Sequence, residues 1–204
     1  LLEAQRDKRE LICEKLQLPV CNARVLDIGC GWGTLLSHMA FNYNVTGVGR
    51  TVSENQTRFG EKLTRDLPIR IERKDFAEPY GEEQFDRIVS VGAFEHFYGR
   101  YHEFFGVAHQ NLKDDGLLLL HTIIRSRHEH TTDEFIKKYI FPNGILPSVE
   151  QIARATNGVF QLEDWHNFGP DYDTTTRTWF ENFDKAWPSL KEHYSERFYR
   201  MWRY

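Results

Sequence analysis

The chain has 204 residues, 40% hydrophobic and 27% charged, and 26 Lys and Arg against 30 Asp and Glu leave a formal net charge of −4. That length suits one domain with a sizeable core, and the acidic balance lacks the basic footprint of a nucleic-acid-binding protein. No run of about 18 apolar residues exists to span a bilayer, and the opening Leu-Leu-Glu-Ala-Gln-Arg lacks the order of a signal peptide.

In chain order, residues 1–18 place Leu2, Ile12 and Leu16 at helical spacing until Pro19 ends the pattern. Residues 24–28 form a short apolar strand that runs into the turn Gly29-Cys-Gly-Trp-Gly33. A helix over 34–41, a strand over 45–49, a charged helix from Ser53 to Asp66 and a strand over 69–73 follow. A fourth strand over 85–91 lies between Gly81 and Gly92, and a helix spans 102–112. The fifth strand, 116–124, is apolar enough to be buried on both faces. This alternation predicts right-handed βαβ units and a doubly wound, mostly parallel α/β sheet in a single domain over 1–204. Past residue 125 the pattern breaks, with 159–165 a sixth strand candidate and a helical, aromatic stretch after Gly169-Pro170. Cys13, Cys21 and Cys30 are odd in number and lack a Cys-x-x-Cys pair. They point to reduced thiols in a cytoplasmic protein and to no metal site. The aromatic share of 14% suits a ring-lined cavity, although core packing is its commoner cause.

Open parallel sheets bind ligands beyond the carboxyl ends of their strands, so the strand exits are read together. The first exit, Asp27-Ile-Gly-Cys-Gly-Trp-Gly33, allows close backbone approach to a ligand, although glycines alone also make plain tight turns. It lacks the Lys-Ser/Thr ending of a phosphate-binding loop and the wider glycine spacing of a dinucleotide site. A ligand with a carboxylate and a ribose but no phosphate, such as S-adenosylmethionine (SAM), fits better. The fourth exit carries Glu95 and His96, and the fifth strand carries His121. Glu95 suits a base or an anion-holding acid, and His121 titrates near neutrality unless it is a satisfied core histidine. His96 reads as structural.

The segments Val25-Leu-Asp-Ile-Gly-Cys-Gly-Trp-Gly33, Gly92-Ala-Phe-Glu-His96, Leu119-Leu-His-Thr-Ile123, Tyr139-Ile-Phe-Pro-Asn-Gly144, Trp165-His-Asn-Phe-Gly169 and Asp171-Tyr-Asp-Thr-Thr175 resemble the cyclopropane-fatty-acyl-phospholipid synthases. The Gly-Ala-Phe-Glu-His-Phe and Ser-Glu-Asn-Gln stretches also resemble the mycolic acid cyclopropane synthase branch. The likeness runs over essentially the whole chain. It implies a Class I SAM-dependent methyltransferase (Rossmann-like) fold acting on a cis double bond of a lipid acyl chain. The SAM methyl adds to one alkene carbon, the resulting carbocation loses a proton to a bound bicarbonate ion, and the ring closes. By the family pattern Glu95, His121 and Tyr172 hold that ion through side chains and Ile123 through its backbone. SAM then meets Gly29, Cys30, Gly31 and Gly33 in the turn, Thr51 and Gln56 after the second strand, and Asp75 and Phe76 after the third. The same resemblance implies unsaturated phospholipid as partner, peripheral membrane contact, and residues 125–148 and 166–204 as substrate-side insertions. A homodimer stays open as the oligomeric state. Two other readings stay open beside it: a SAM-dependent C- or N-methyltransferase on another acceptor, and a non-catalytic module of the same fold.

Three departures from the family pattern stand out. Arg50 occupies a usually aliphatic place just before Thr51-Val-Ser53, where a guanidinium must snorkel out or find a carboxylate, at the expense of SAM affinity. An upstream segment with a Tyr-x-Cys loop and a C-terminal segment are not in the sequence. The expectation is therefore a fragment of a longer enzyme lacking its last, antiparallel strand, with an unpaired edge beside His121.

Overall fold

The computed structural model describes residues 1–18, 22–81, 84–126, 133–142 and 144–204. It contains two compact units, Asp7–Gln161 and Leu1–Arg6 with Leu162–Tyr204. In chain order the elements are α1 (Leu2–Lys15), β1 (Arg24–Ile28), α2 (Thr34–Tyr43), β2 (Thr46–Thr51), α3 (Glu54–Thr64), β3 (Ile69–Arg73) and β4 (Phe85–Val91). They continue with a 3₁₀ turn (Phe94–His96), α4 (Tyr101–Asn111), β5 (Leu112–His121), a π-helical turn (Ile136–Ile140), α5 (Val149–Thr156), α6 (Asp171–Leu190) and α7 (Glu196–Arg203).

The larger unit is built on a parallel sheet in the order β3-β2-β1-β4-β5. Strand side chains alternate between faces, and the core divides accordingly. Leu26, Ile28 and Ile88 pack on one face with Phe94 and Phe104, and Val25 and Val89 on the other with Leu16, Leu36 and Met39. Burying both faces explains why Val25, Leu26 and Ile28 of β1 and Phe85, Ile88 and Val89 of β4 are all apolar. The chain winds outward from β1 in opposite directions, to β2 and to β4, so the exits of these strands flank the crevice of a doubly wound fold.

Several expectations change here. Residues 159–165 form no strand, and among the described residues the sheet has five strands. Alternating apolar residues make a strand only where a neighbour supplies the ladder. β5 begins at Leu112, four residues before the expected start, because the polar Lys113-Asp114-Asp115 reads as a loop in sequence. A register shift between Phe85 and Arg87 accommodates that stretch. β5 is an edge strand whose residues from Gly116 onward are only half-buried, and its Leu run therefore misled as a sign of two covered faces. Cys13 and Cys30 are buried free thiols, and Cys21 lies outside the described residues, as do residues 127–132 and Asn143 of the expected insertion.

The smaller unit is helical. Its α6 and α7 contain no buried residue. They meet through rings, with Trp187 and Tyr199 stacked at 4.6 Å and Phe183 and Tyr199 at 5.8 Å.

Candidate active site

The glycine turn is tied to the end of β2. The amides of Gly29 and Cys30 both donate to the Arg50 carbonyl, at 2.9 and 3.0 Å, and Gly33 donates to the Cys30 carbonyl at 3.0 Å. Gly29 has φ 81°, and a Cβ there would lie 2.3 Å from the Cβ of Ala93. Only glycine tolerates both the left-handed backbone and that contact, so the turn packs directly on the loop that carries Glu95. Gly31 and Gly33 complete the turn, and Gly33 serves as the residue before α2. Asp27, at the base of this turn, was not singled out in sequence. It is 2% exposed, and burial pushes its carboxyl up to about 7. An acid inside an otherwise apolar strand end was the available signal.

At the β2 exit the Thr51 hydroxyl donates to Gln56 Oε1 at 2.6 Å and accepts from the Ser53 amide at 3.2 Å. The Ser53 hydroxyl in turn caps α3. At the β3 exit Asp75 receives a two-pronged contact from Arg100, at 2.9 and 3.1 Å, which holds its carboxyl below the usual range. The Arg100 guanidinium also sits 4.3 Å from the Phe76 ring centroid. That ring is 3% exposed and packs against Phe97, so it belongs to the core and not to an open wall.

Glu95 is 7% exposed on the 3₁₀ turn after β4. Its Oε1 accepts from the Ile123 amide at 2.7 Å, while Oε2 is buried with no hydrogen-bond partner among the described residues. A buried carboxylate oxygen without a donor is costly, and this one has an open valence for a ligand. His121 ends β5 opposite Val91, and its carbonyl accepts from the Gly92 amide at 3.0 Å. Burial and then Lys8 push its pKa down, and Glu95 opposes them. The imidazole thus feels the Glu95 charge and favours the neutral form. Glu95, Ile123 and His121 come together in the larger unit. Tyr172 lies in the first turn of α6, in the smaller unit, and is exposed. His96 is exposed and meets Phe141 edge-on at 6.3 Å.

This five-stranded order, with a glycine turn after β1 and polar groups at the β4 and β5 exits, is the Class I SAM-dependent methyltransferase fold. The structure of the cyclopropane synthase MmaA2 from Mycobacterium tuberculosis superposes with a TM-score of 0.88 at 32% identity, covering 100% of this chain and 77% of that one. Mycolic acid cyclopropane synthase CmaA1 complexed with SAH and CTAB follows at TM-score 0.87 and 32% identity, covering 99% and 76%. The family model for mycolic acid cyclopropane synthetase matches residues 1–204, and the chain belongs to that family. It is 50% identical to the cyclopropane-fatty-acyl-phospholipid synthase of Escherichia coli (strain K12) over 205 residues, covering 100% of this chain and 53% of that protein. The chain thus spans about half the length of that relative. Cyclopropane mycolic acid synthase 2 of Mycobacterium leprae is 36% identical over 206 residues, covering 88% of this chain and 67% of that protein.

Proposed function

We propose that this chain is the SAM-binding, catalytic part of an enzyme that forms cyclopropane rings on unsaturated lipid acyl chains. When bound, SAM supplies an electrophilic methyl carbon. The residues present suit it: Asp27 places a buried acid under a turn that can receive the cationic end, and Thr51, Gln56 and Asp75 offer polar groups at the next two exits. The turn lacks the features of a phosphate cradle, and SAM carries no phosphate.

The observation that carries the catalytic reading is the half-satisfied Glu95. Closing a ring on a methylated double bond requires a proton to leave, and a base must stand at that point. Glu95 has one oxygen fixed by Ile123 and the other open, beside an imidazole that favours neutrality. Bicarbonate suits such a place as the proton acceptor. A neutral His121 can donate to it, while Glu95 shares a proton with it instead of repelling it. Acyl chains reside in membranes, so the enzyme meets its substrate at a bilayer surface. No described helix is long and apolar enough to cross one.

Calorimetry with SAM, followed by NMR of cis-unsaturated phospholipid vesicles for upfield ring protons, tests the proposal. The expected result is SAM binding and ring formation that falls on removal of bicarbonate. Glu95→Gln should cut turnover about 10²–10⁴-fold while SAM affinity stays close to wild type. Equal losses in affinity and turnover would remove Glu95 from the deprotonation. A methylated product that keeps its double bond would point to C-methylation instead.

A further inference from the structure

Arg50 is 2% exposed, and its buried charge lies outside the set of residues assigned to catalysis. Its guanidinium meets the Glu72 carboxylate at 3.1 Å through Nε. Its other two nitrogens reach three main-chain carbonyls on one loop, those of Asp75 at 3.4 Å, Glu78 at 2.5 Å and Pro79 at 2.8 Å. The plane is completed by the Tyr80 ring, whose centroid is 3.4 Å from the guanidinium carbon. Of the two outcomes open to a cation at this position, it finds a carboxylate and does not reach solvent. Glu72 is also met by Arg70 at 2.9 Å and Lys74 at 3.4 Å. The three carbonyls converge on the guanidinium, and a planar fork is the side chain able to satisfy them together.

The same residue acts at its other end. The Arg50 carbonyl receives the amides of Gly29 and Cys30, and the next residue is Thr51. One residue therefore joins the glycine turn to the loop that begins at Asp75, the two walls between which an adenosyl group would lie. We propose that Arg50 is a positioning residue for the cofactor: it sets the spacing of these two walls and so raises affinity for SAM without touching the reacting atoms. This proposal rests on the SAM site described above, and it reverses the loss of affinity expected from a cation at this place.

The test compares wild type, Arg50→Met and Arg50→Lys in steady-state kinetics and SAM calorimetry, well below the melting temperature of each. Methionine has similar reach but no donors, so the substitution takes the guanidinium donors away from three main-chain carbonyls. Arg50→Met should raise KM and Kd for SAM about tenfold, with kcat and the KM for lipid close to wild type. Arg50→Lys, a point charge that cannot span three carbonyls, should fall between. A purely structural role would lower kcat per mole or raise both KM values, and either result overturns the proposal. If Arg50→Met does not fold, Arg50→Lys decides, and an unchanged SAM KM there overturns it. Wild type that fails to bind SAM refutes the cofactor site itself, whereas wild type that binds beside variants of equal affinity refutes only the role of Arg50.

Discussion

The two units of this chain spend their aromatic residues in opposite ways. In the sheet unit, Phe94 and Phe104 are fully buried, and Phe104 packs edge-on against Phe76, Phe94 and Phe105. In the helical unit, rings stack just as closely, but Trp179, Trp202 and Tyr194 stay about half exposed. Aromatic pairing is similar in both, while removal from water differs, and burial carries most of the free energy. Stability should therefore be concentrated in the sheet unit.

The largest effect should follow Phe104→Ala. Emptying this site should cost about 3–5 kcal/mol and lower the cooperative denaturant midpoint of the whole sheet unit. A loss below about 1 kcal/mol, the size expected of an exposed ring, would remove the contrast between the units.

A smaller, pH-dependent effect belongs to Asp27. Its carboxyl titrates at about 7 in the fold, against about 3.9 in an unfolded chain. The folded state therefore binds the proton more tightly, and the resulting stability is fully present below about pH 4. It is lost as pH rises towards 7, over a span worth about 4 kcal/mol at most. Melting curves from pH 4 to 8 should show that decline in wild type and a shallower one in Asp27→Asn. Identical slopes would place the titration elsewhere.

The smallest effect should be that of Phe183→Ala on α6. Losing its stacking with Tyr199 and contact with Trp187 should cost about 1 kcal/mol, felt locally. Protease cleavage within residues 171–203 should accelerate while the midpoint of the sheet unit stays in place. A fall of both together would mean that the two units unfold as one.

Legibility in sequence followed the same division. The bounds of β1 and β4 were readable because their apolar positions run up to Gly29 and Gly92, and the glycine turn was readable because its backbone demands that residue. Residues 159–165 misled, since alternation records a preference for a pleated surface and not the presence of a partner strand. Glu95 was legible as an acid at a strand exit, but its unequal oxygens were not, because the Ile123 amide lies 28 residues away. Arg50 was legible only as a misfit. Its partners are carbonyls 25 to 29 residues downstream, and every residue type has a carbonyl. Tyr172 was reached through resemblance alone, and its place on a helix of the other unit is no product of local pattern.

The near-contact between Gly29 and Ala93 has a consequence for anyone redesigning this molecule. A single missing carbon at 29 and a single methyl at 93 together determine how far the cofactor turn stands from the segment bearing Glu95. At 29 the left-handed backbone and that contact leave glycine alone acceptable, so a library seeking room for a bulkier sulfonium donor should vary 93 while glycine is kept at 29.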